Sequence, residues 1–142
     1  MEKLENRYRK CLYFSANALA RKTEKLAQES WSKVDLTPSH AYLLLLVIDE
    51  PGIQPTQIAA CLHLTPSTVT RLILKLESKK LLHRTTEGKI TNVYPTAKGN
   101  NLLPRLKACQ QEFFANYAQI LGENESTRLA MQMLNVADKL KD

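Results

Sequence analysis

Residues 55–80 restrict how this chain can fold more than any other stretch of the sequence. In their second half, four apolar residues recur at the i, i+3, i+4 and i+7 spacing of a buried helical stripe: Val69, Leu72, Ile73 and Leu76. Thr65-Pro66 supplies an N-cap hydroxyl and a proline at the first helical position, which together predict where this helix begins. Three further apolar residues fall where a preceding helix and its turn must face a core: Ile58, Leu62 and Leu64. The stretch therefore predicts a helix-turn-helix, with Pro55 and Thr56 opening its first helix.

The predicted second helix has a polar side of unusual composition. At about 100° per residue, the side opposite Val69 holds hydroxyl and cationic side chains and almost no acidic ones: Ser67, Thr70, Arg71, Lys75 and Ser78. Such a helix offers hydrogen-bond donors and positive charge without repelling a polyanion. We therefore expect it to suit the major groove of duplex DNA, where the edges of the bases are exposed.

The positive charge of the chain is concentrated next to this helix. The whole sequence has a net charge of +6 and an isoelectric point of about 9.3. From Arg71 to Lys107 there are nine basic residues and two acidic ones, a net charge of +7, which leaves −1 for the rest of the chain. This distribution is what phosphate binding requires. A solvated basic face would have the same composition, and that alternative stays open.

Composition limits the class of protein. With 142 residues, 44% of them hydrophobic, the chain is expected to form one globular domain with a substantial core. The three cysteines lie far apart without a CxxC pair, so no disulfide framework is expected. The N-terminal residues are charged and lack an apolar signal core, and the longest apolar run, residues 42–48, is too short to span a bilayer. We expect a cytoplasmic protein with no membrane partner.

Enzymatic motifs are missing from the sequence. It contains no glycine-rich phosphate loop, no HExxH and no serine elbow, so neither catalytic residues nor a cofactor is expected. His40, His63 and His83 are isolated from carboxylates and cysteines at ligand spacing, so no metal site is expected either.

Two helices are predicted before the helix-turn-helix. The first runs from about residue 2 to about residue 30 without a glycine or proline to interrupt it. Its apolar side carries Leu4, Tyr8, Cys11, Ser15, Leu19 and Leu26. Thr37-Pro38 begins the second, whose residues 41–48 are almost uniformly apolar and are expected to be buried on all sides.

A small hairpin is predicted after Lys80. Leu81–Thr86 and Ile90–Tyr94 are short and β-prone, and Glu87-Gly88-Lys89 joins them. A hairpin placed directly after a DNA-reading helix is a wing, whose tip residue Lys89 could reach the DNA backbone or the minor groove. The alternative is a purely structural hairpin.

The C-terminal part predicts two more amphipathic helices. A seam at spacings of three and four runs through Leu102, Leu106, Cys109, Phe113, Asn116 and Ile120. Pro104 should bend this helix or delay its regular start, and Gly122 should close it. A last helix, Glu125–Leu140, carries Leu129, Met133, Val136 and Leu140 on one side. The terminal helices could cover each other within one chain, but a long seam with one polar Asn116 favours a homodimer.

A series of short motifs follows the order seen in one protein family. The motifs are Leu36-Thr37-Pro38, Gln57–Leu62, Thr65–Leu72, Leu76-Glu77, Leu81–Arg84 and Thr96–Gly99. They resemble the MarR family of winged-helix transcriptional regulators, over roughly residues 36–100 in motif detail and over the whole chain in element order. Thr68–Leu72, ending in Leu76-Glu77, is the most specific part.

The resemblance implies a mainly α fold with a small β-hairpin wing. It implies a single domain with an N-terminal dimerisation helix at 1–35, a winged helix-turn-helix at 36–98 and C-terminal dimerisation helices at 99–142. The implied function is that of a homodimeric regulator, most simply a repressor, on a pseudo-palindromic operator in double-stranded DNA. The implied contacts to bases and phosphates come from Ser67, Thr68, Thr70 and Arg71. Backbone phosphates are assigned to Thr56, Gln57 and Thr65, and flanking phosphates to Lys75 and Arg84.

The sequence departs from the family pattern in the wing. Glu87-Gly88-Lys89 stands where the family usually has Asp-x-Arg, with the arginine in the minor groove. Lysine is a strongly hydrated point charge and a poorer occupant of a narrow groove than arginine. We therefore expect weaker or less selective binding by the wing. Lys79-Lys80 also replaces the usual glycine turn.

Other functions remain as alternatives. By resemblance, a small-molecule effector is expected between the dimerisation helices and the reading module, with apolar walls from Tyr8, Tyr13, Trp31 and Tyr42. Ordinary core aromatics are the favoured explanation of the same residues. Oxidant sensing by Cys11 is disfavoured, because matching on Leu12-Tyr13 places Arg9 at the family's reactive position. A winged helix that binds proteins rather than DNA is the alternative from a different functional class.

Overall fold

Residues 3–140 are described by a computed structural model. Their helices are α1 (Leu12–Trp31), α2 (Pro38–Asp49), α3 (Pro55–Leu62), α4 (Pro66–Ser78), α5 (Ala97–Asn101), α6 (Leu103–Leu121) and α7 (Glu123–Lys139). Two strands, β1 (Leu82–Glu87) and β2 (Ile90–Pro95), lie between α4 and α5, and short 3₁₀ turns occupy Leu4–Asn6 and Ser32–Val34. The fold is mainly helical with a β-hairpin, which confirms the predicted fold class.

One apolar core joins the end of α1 to α2, α3, α4, the base of the hairpin and α6. Its largest fully buried side chains include Trp31, Leu43, Ile58, Leu76 and Leu106. Helix α2 passes through the centre, and its apolar residues are buried or half-buried all around, as the sequence predicts. The core therefore fixes the helix-turn-helix against the rest of the chain.

The helix-turn-helix begins and turns where the sequence indicates. Gln54 and Gln57 form a capping box at the start of α3. The turn is made by His63, with a left-handed φ of 54°, and is closed by the amide of Leu64, which donates to Ala59 O at 3.0 Å. Thr65 then caps α4, with its hydroxyl accepting from the amide of Thr68 at 3.3 Å.

The hairpin is regular and its turn is shorter than predicted. Six antiparallel pairs run from Leu82–Pro95 to Glu87–Ile90, so Glu87 belongs to β1 and the turn consists of Gly88 and Lys89 alone. Gly88 has a φ of 63°, which suits the first central position of a type II′ turn. An isolated bridge between Ile53 and Val93 fastens the hairpin to the loop after α2.

The connection to the C-terminal helices is tight. Pro104 lies in the first turn of α6, after a break at Leu102 that separates α6 from α5, which confirms the predicted delayed start. Gly99 of α5 packs directly on Leu81, in the link between α4 and β1: a Cβ atom there would lie 2.1 Å from Leu81 O. Gly122 ends α6 as predicted, and α7 begins at Glu123, two residues before the predicted start.

The first predicted helix is wrong in its N-terminal third. Helix α1 begins at Leu12, after Cys11 in extended conformation (φ −92°, ψ 122°), and the predicted start at residue 2 lies outside the described residues. Three basic residues, Arg7, Arg9 and Lys10, lie within five residues of the start of α1, and positive charge at a helix N-terminus opposes the helix dipole. Leu4 is also 77% exposed, so packing within the chain does not offset that cost.

The outer helices are the least covered part of the molecule. On α7, the side with Leu129, Met133 and Val136 is exposed along its length. In α1, burial is confined to the C-terminal end, at Ala27, Ser30 and Trp31. Among residues 3–140, no helix is both long enough and apolar enough to cross a membrane.

Candidate nucleic-acid interface

Helix α4 presents a polar side to solvent because its other side is completely buried. Val69 and Leu76 have no exposed surface, and this burial fixes the rotation of the helix about its axis. The five residues predicted for the opposite side are all exposed: Ser67, Thr70, Arg71, Lys75 and Ser78. The structure therefore brings the predicted reading residues onto one surface.

Three hydroxyls cluster at the N-terminus of α4. The Thr65 hydroxyl donates to Thr68 Oγ1 at 2.9 Å, and Ser67 Oγ lies 3.3 Å from Thr65 Oγ1. Free backbone amides and the positive end of the helix dipole lie at the same place. This end of α4 is suited to a phosphate group.

Further along α4, the outward hydroxyls of Thr70 and Ser78 both donate their protons within the helix. Thr70 Oγ1 donates to Pro66 O at 3.1 Å, and Ser78 Oγ donates to Lys75 O at 2.6 Å. Toward a ligand they act as acceptors. The side chain of Arg71 is different, because it makes neither a hydrogen bond nor an ion pair with any residue from 3 to 140. Its guanidinium keeps five donors for a partner outside the chain.

The far edge of α4 borders a positively charged cavity of about 580 Å³. Lys79 is anchored there, with Nζ donating to Asp35 O at 2.9 Å and to Asp35 Oδ2 at 3.1 Å. His40 lies opposite, hydrogen-bonded to the Thr37 hydroxyl. Burial, followed by the positive charges of Lys79, Lys75 and Arg71, lowers the pKa of His40 from its ordinary value. The lowered pKa reports the positive potential along this side of α4.

The wing residues differ in how firmly they are held. Arg84 of β1, predicted to contact a flanking phosphate, is bound to Glu77 of α4, with Nη2 2.9 Å from Glu77 Oε1. Lys89 stands exposed in the hairpin turn. The wing therefore offers one fixed, partly neutralised arginine and one exposed lysine.

The predicted phosphate contacts on α3 occupy its first turn. Thr56 and Gln57 are both exposed there. Gln57 Oε1 accepts from the amide of Gln54 at 2.9 Å, which fixes the side chain and leaves its NH₂ group for a phosphate.

One exposed residue of α4 was not predicted. Leu74 lies on the outward side among the polar residues and is 51% exposed. A projection of α4 at about 100° per residue places it there, although the sequence-based prediction of this side named polar residues alone.

The four aromatic residues predicted for an effector do not line one cavity. Tyr8 stacks on Phe14 near the N-terminus (ring centroids 4.7 Å apart), and Tyr13 packs edge-on against the same ring. Trp31 is buried under Tyr42, with ring centroids 5.3 Å apart. Tyr42 alone borders a cavity of about 300 Å³ between α1, α2, α6 and the turn of the helix-turn-helix. Burial, and secondarily Tyr117, raises the pKa of Tyr42.

The three cysteines lie on different elements of the fold. Cys11 is half-buried just before α1, Cys61 is exposed on α3 and Cys109 is buried on α6. Burial, together with Glu112, raises the pKa of the Cys109 thiol. Within residues 3–140, no three His, Cys, Asp or Glu side chains are grouped as a metal site would need.

Known proteins share both the sequence pattern and the fold. Residues 34–89 match the MarR family. The transcriptional repressor MdtR of Bacillus subtilis (strain 168) is 25% identical over 122 residues, covering 84% of this chain and 79% of MdtR. The repressor CouR bound to a 23-mer DNA duplex superposes with a TM-score of 0.83 at 21% identity, over 96% of this chain and 99% of CouR. PcaV of Streptomyces coelicolor, solved with its natural ligand, superposes with a TM-score of 0.81 at 18% identity, over 99% of this chain and 100% of PcaV. The match over residues 34–89 covers the helix-turn-helix and the first strand of the hairpin, and the solved structures share the fold of the whole chain, so this part of the chain is a winged helix-turn-helix of the MarR family of transcriptional regulators.

Proposed function

We propose that the protein is a transcriptional repressor that binds a pseudo-palindromic operator in duplex DNA as a homodimer. The observation that carries the proposal is Arg71, exposed on the outward side of a helix whose rotation is fixed by a buried stripe. MdtR is described as a transcriptional repressor, and CouR was solved on a DNA duplex, which supports the same activity here. Such a protein acts where the DNA is, in the reducing cytoplasm, where three unpaired thiols are stable.

Each predicted contact has a role in this proposal. Arg71 reads a base edge in the major groove, and Ser67, Thr68 and Thr70 contact neighbouring bases and phosphates. Phosphates on either side are bound by Thr56, Gln57, Thr65, Lys75 and Arg84, with Lys89 extending from the wing. Because most of these contacts are to phosphates, affinity should fall steeply with salt.

The exposed terminal helices support the homodimer. Large apolar side chains remain exposed at both ends of the chain, including Leu12, Ile120, Leu129 and Met133. Large apolar side chains left exposed in this number are typical of a protein that uses them in an interface. We assign dimerisation to residues 1–35 and 99–142, and DNA binding to residues 36–98. Two-fold symmetry would then set the two α4 helices about one turn of DNA, roughly 34 Å, apart.

An effector fits the cavity beside Tyr42. Its volume of about 300 Å³ is at the lower end for small-molecule sites. Its walls come from α1 and α6 on one side and from Leu62 and Leu64 of the helix-turn-helix on the other. A ligand there would shift the reading module relative to the dimer helices. PcaV was solved with its natural ligand, which supports regulation of this kind.

The test is selection of duplexes from a randomised library, followed by titration at two salt concentrations. We expect enrichment of a two-fold symmetric sequence, and Arg71→Ala should weaken its binding by about 1–3 kcal/mol. Arg21→Ala is the matched control, since Arg21 is exposed on α1, away from α4. A chain that binds every duplex like a generic basic protein would instead be a protein-interaction module.

A further inference from the structure

Leu74 is the one apolar side chain at the middle of the reading surface of α4. At about 100° per residue, it lies within about 30° of the direction opposite the buried stripe. Its neighbours one turn away on this side are Thr70 and Ser78, and Arg71 is three residues before it. The other large apolar residues of α4 are at most 7% exposed, whereas Leu74 is 51% exposed. A single surface leucine is common, but one at this position would be carried into the groove with Arg71.

The major groove contains few groups that an isobutyl side chain can contact favourably. Base edges there present hydrogen-bond donors and acceptors, and the one apolar group is the C5-methyl of thymine. Pressing Leu74 against a cytosine amine or a guanine oxygen would desolvate that polar atom without pairing it, which is unfavourable. Contact with a thymine methyl group instead removes apolar surface of both the leucine and the methyl group from water.

The hydroxyl groups next to Leu74 do not compete with it for the methyl group of thymine. The protons of Thr70 and Ser78 are donated to backbone carbonyls of α4, so these hydroxyls stand beside Leu74 as acceptors. We propose that Leu74 is a specificity-determining residue that selects thymine by its methyl group, at one position in each half-site next to the base read by Arg71. The inference rests on the proposed function and identifies one base of the DNA sequence that the outward side of α4 selects.

The experiment uses the full chain and a duplex that it has enriched from a randomised library. Each thymine of the half-site is replaced in turn by deoxyuridine, which deletes the methyl group and keeps the base pair. At one thymine position we expect binding about four-fold weaker, the effect of exposing one buried methyl group. Leu74→Ala should bind the thymine and uracil duplexes equally. Leu74→Met, which keeps an apolar side chain, should retain the preference for thymine and shows that the site is intact.

Lys75→Ala is the matched control on the adjacent residue. It should weaken binding to both duplexes by the same factor, because a phosphate contact does not depend on the base, and the four-fold preference should persist. The inference is overturned if no thymine position responds to loss of its methyl group, or if Leu74→Ala keeps the preference. Absence of any enriched sequence would reject the proposed function as well, whereas enrichment without a methyl effect rejects the role of Leu74 alone.

Discussion

Arg84 of β1 and Glu77 of α4 form a two-point ion pair. Arg84 Nη2 lies 2.9 Å from Glu77 Oε1, and Arg84 Nε donates to Glu77 Oε2 at 3.2 Å. Parallel N–H···O contacts of this kind fix the planes of both groups. The pair fastens the first strand of the wing to the end of the reading helix, so the two DNA-facing elements are expected to move together.

Breaking this pair should affect stability slightly and DNA binding more clearly. Glu77→Gln should lower the free energy of unfolding by about 0.2–1 kcal/mol, because both side chains are partly exposed. It also removes the carboxylate that partly neutralises Arg84, so the phosphate contact of Arg84 should strengthen and the slope of log affinity against log salt should steepen by up to about one contact. Urea unfolding and DNA titrations at several salt concentrations measure the two effects.

Glu87→Gln is the control for the Glu77 prediction. It removes the same charge from the exposed end of β1, where Glu87 makes no ion pair with the described residues. We expect its unfolding free energy to stay within about 0.5 kcal/mol of wild type. Equal destabilisation by the two substitutions would show that the ion pair contributes nothing.

The local features of this fold were readable from the sequence, whereas contacts between distant elements were not. The stripe of α4, its Thr65 cap and the break before α6 at Pro104 depend on neighbouring residues, and the structure has all three. The Lys79–Asp35 contact joins residues 44 apart in sequence, and no local pattern signals it. For the same reason, Tyr42 was grouped with Tyr8 and Tyr13, which the structure places elsewhere, against Phe14.

The balance between local and tertiary terms changed one predicted feature, the start of the first helix, and accommodated one departure from the family pattern, the missing glycine at Lys80. The apolar spacing before Leu12 is helical, but the cationic residues there and the lack of a covering surface stop the helix short. At Lys80, the backbone adopts a φ of 62° although the residue is not glycine. The amide of Leu81, which donates to Leu76 O at 3.0 Å, closes this corner. The turn therefore keeps its geometry without the family's usual glycine.

Gly99 is expected to be the least replaceable glycine of the described chain. In Gly99→Ala, the new Cβ would lie 2.1 Å from Leu81 O, a backbone atom that cannot rotate away. Helix α5 must then shift away from Leu81, and we expect the free energy of unfolding to fall by about 1–3 kcal/mol or more. Urea denaturation measures the loss. Asn100→Ala, at an exposed position of the same helix, should change stability by less than about 0.5 kcal/mol, and a similar loss there would contradict the steric explanation.

The proposed dimer can be tested with two methionines on opposite sides of α7. Met133 lies on the side with Leu129 and Val136, whereas Met131, at about 200° from Leu129, lies on the other side. Met133→Lys should weaken dimerisation by about 2 kcal/mol or more, roughly 30-fold, because a buried interface does not accommodate an unpaired ammonium. Met131→Lys is the matched control and should leave the dimer intact. Sedimentation equilibrium distinguishes the variants, and equal dissociation by both would place the interface elsewhere.

His40 gives the protein a pH-dependent stability with a defined sign. Burial and the charges of Lys79, Lys75 and Arg71 lower the pKa of His40 in the folded chain below the ordinary value of 6.5 that it has when unfolded. The unfolded state then binds more protons, so stability is fully present above pH 6.5 and is lost as the pH falls through the folded pKa. We expect urea midpoints to decrease below pH 6.5, and His40→Gln should remove part of that decrease.

Duplex DNA should act on His40 in the opposite direction. Phosphates placed along α4 offset the charges of Lys75 and Arg71, which are two of the causes of the lowered pKa. The pKa of His40 should therefore rise when operator DNA binds, and binding should take up protons at pH values where the His40 ring is partly protonated. NMR titration of the His40 ring in the free and bound protein measures the shift. An unchanged or lower pKa in the complex would mean that DNA does not approach this side of α4.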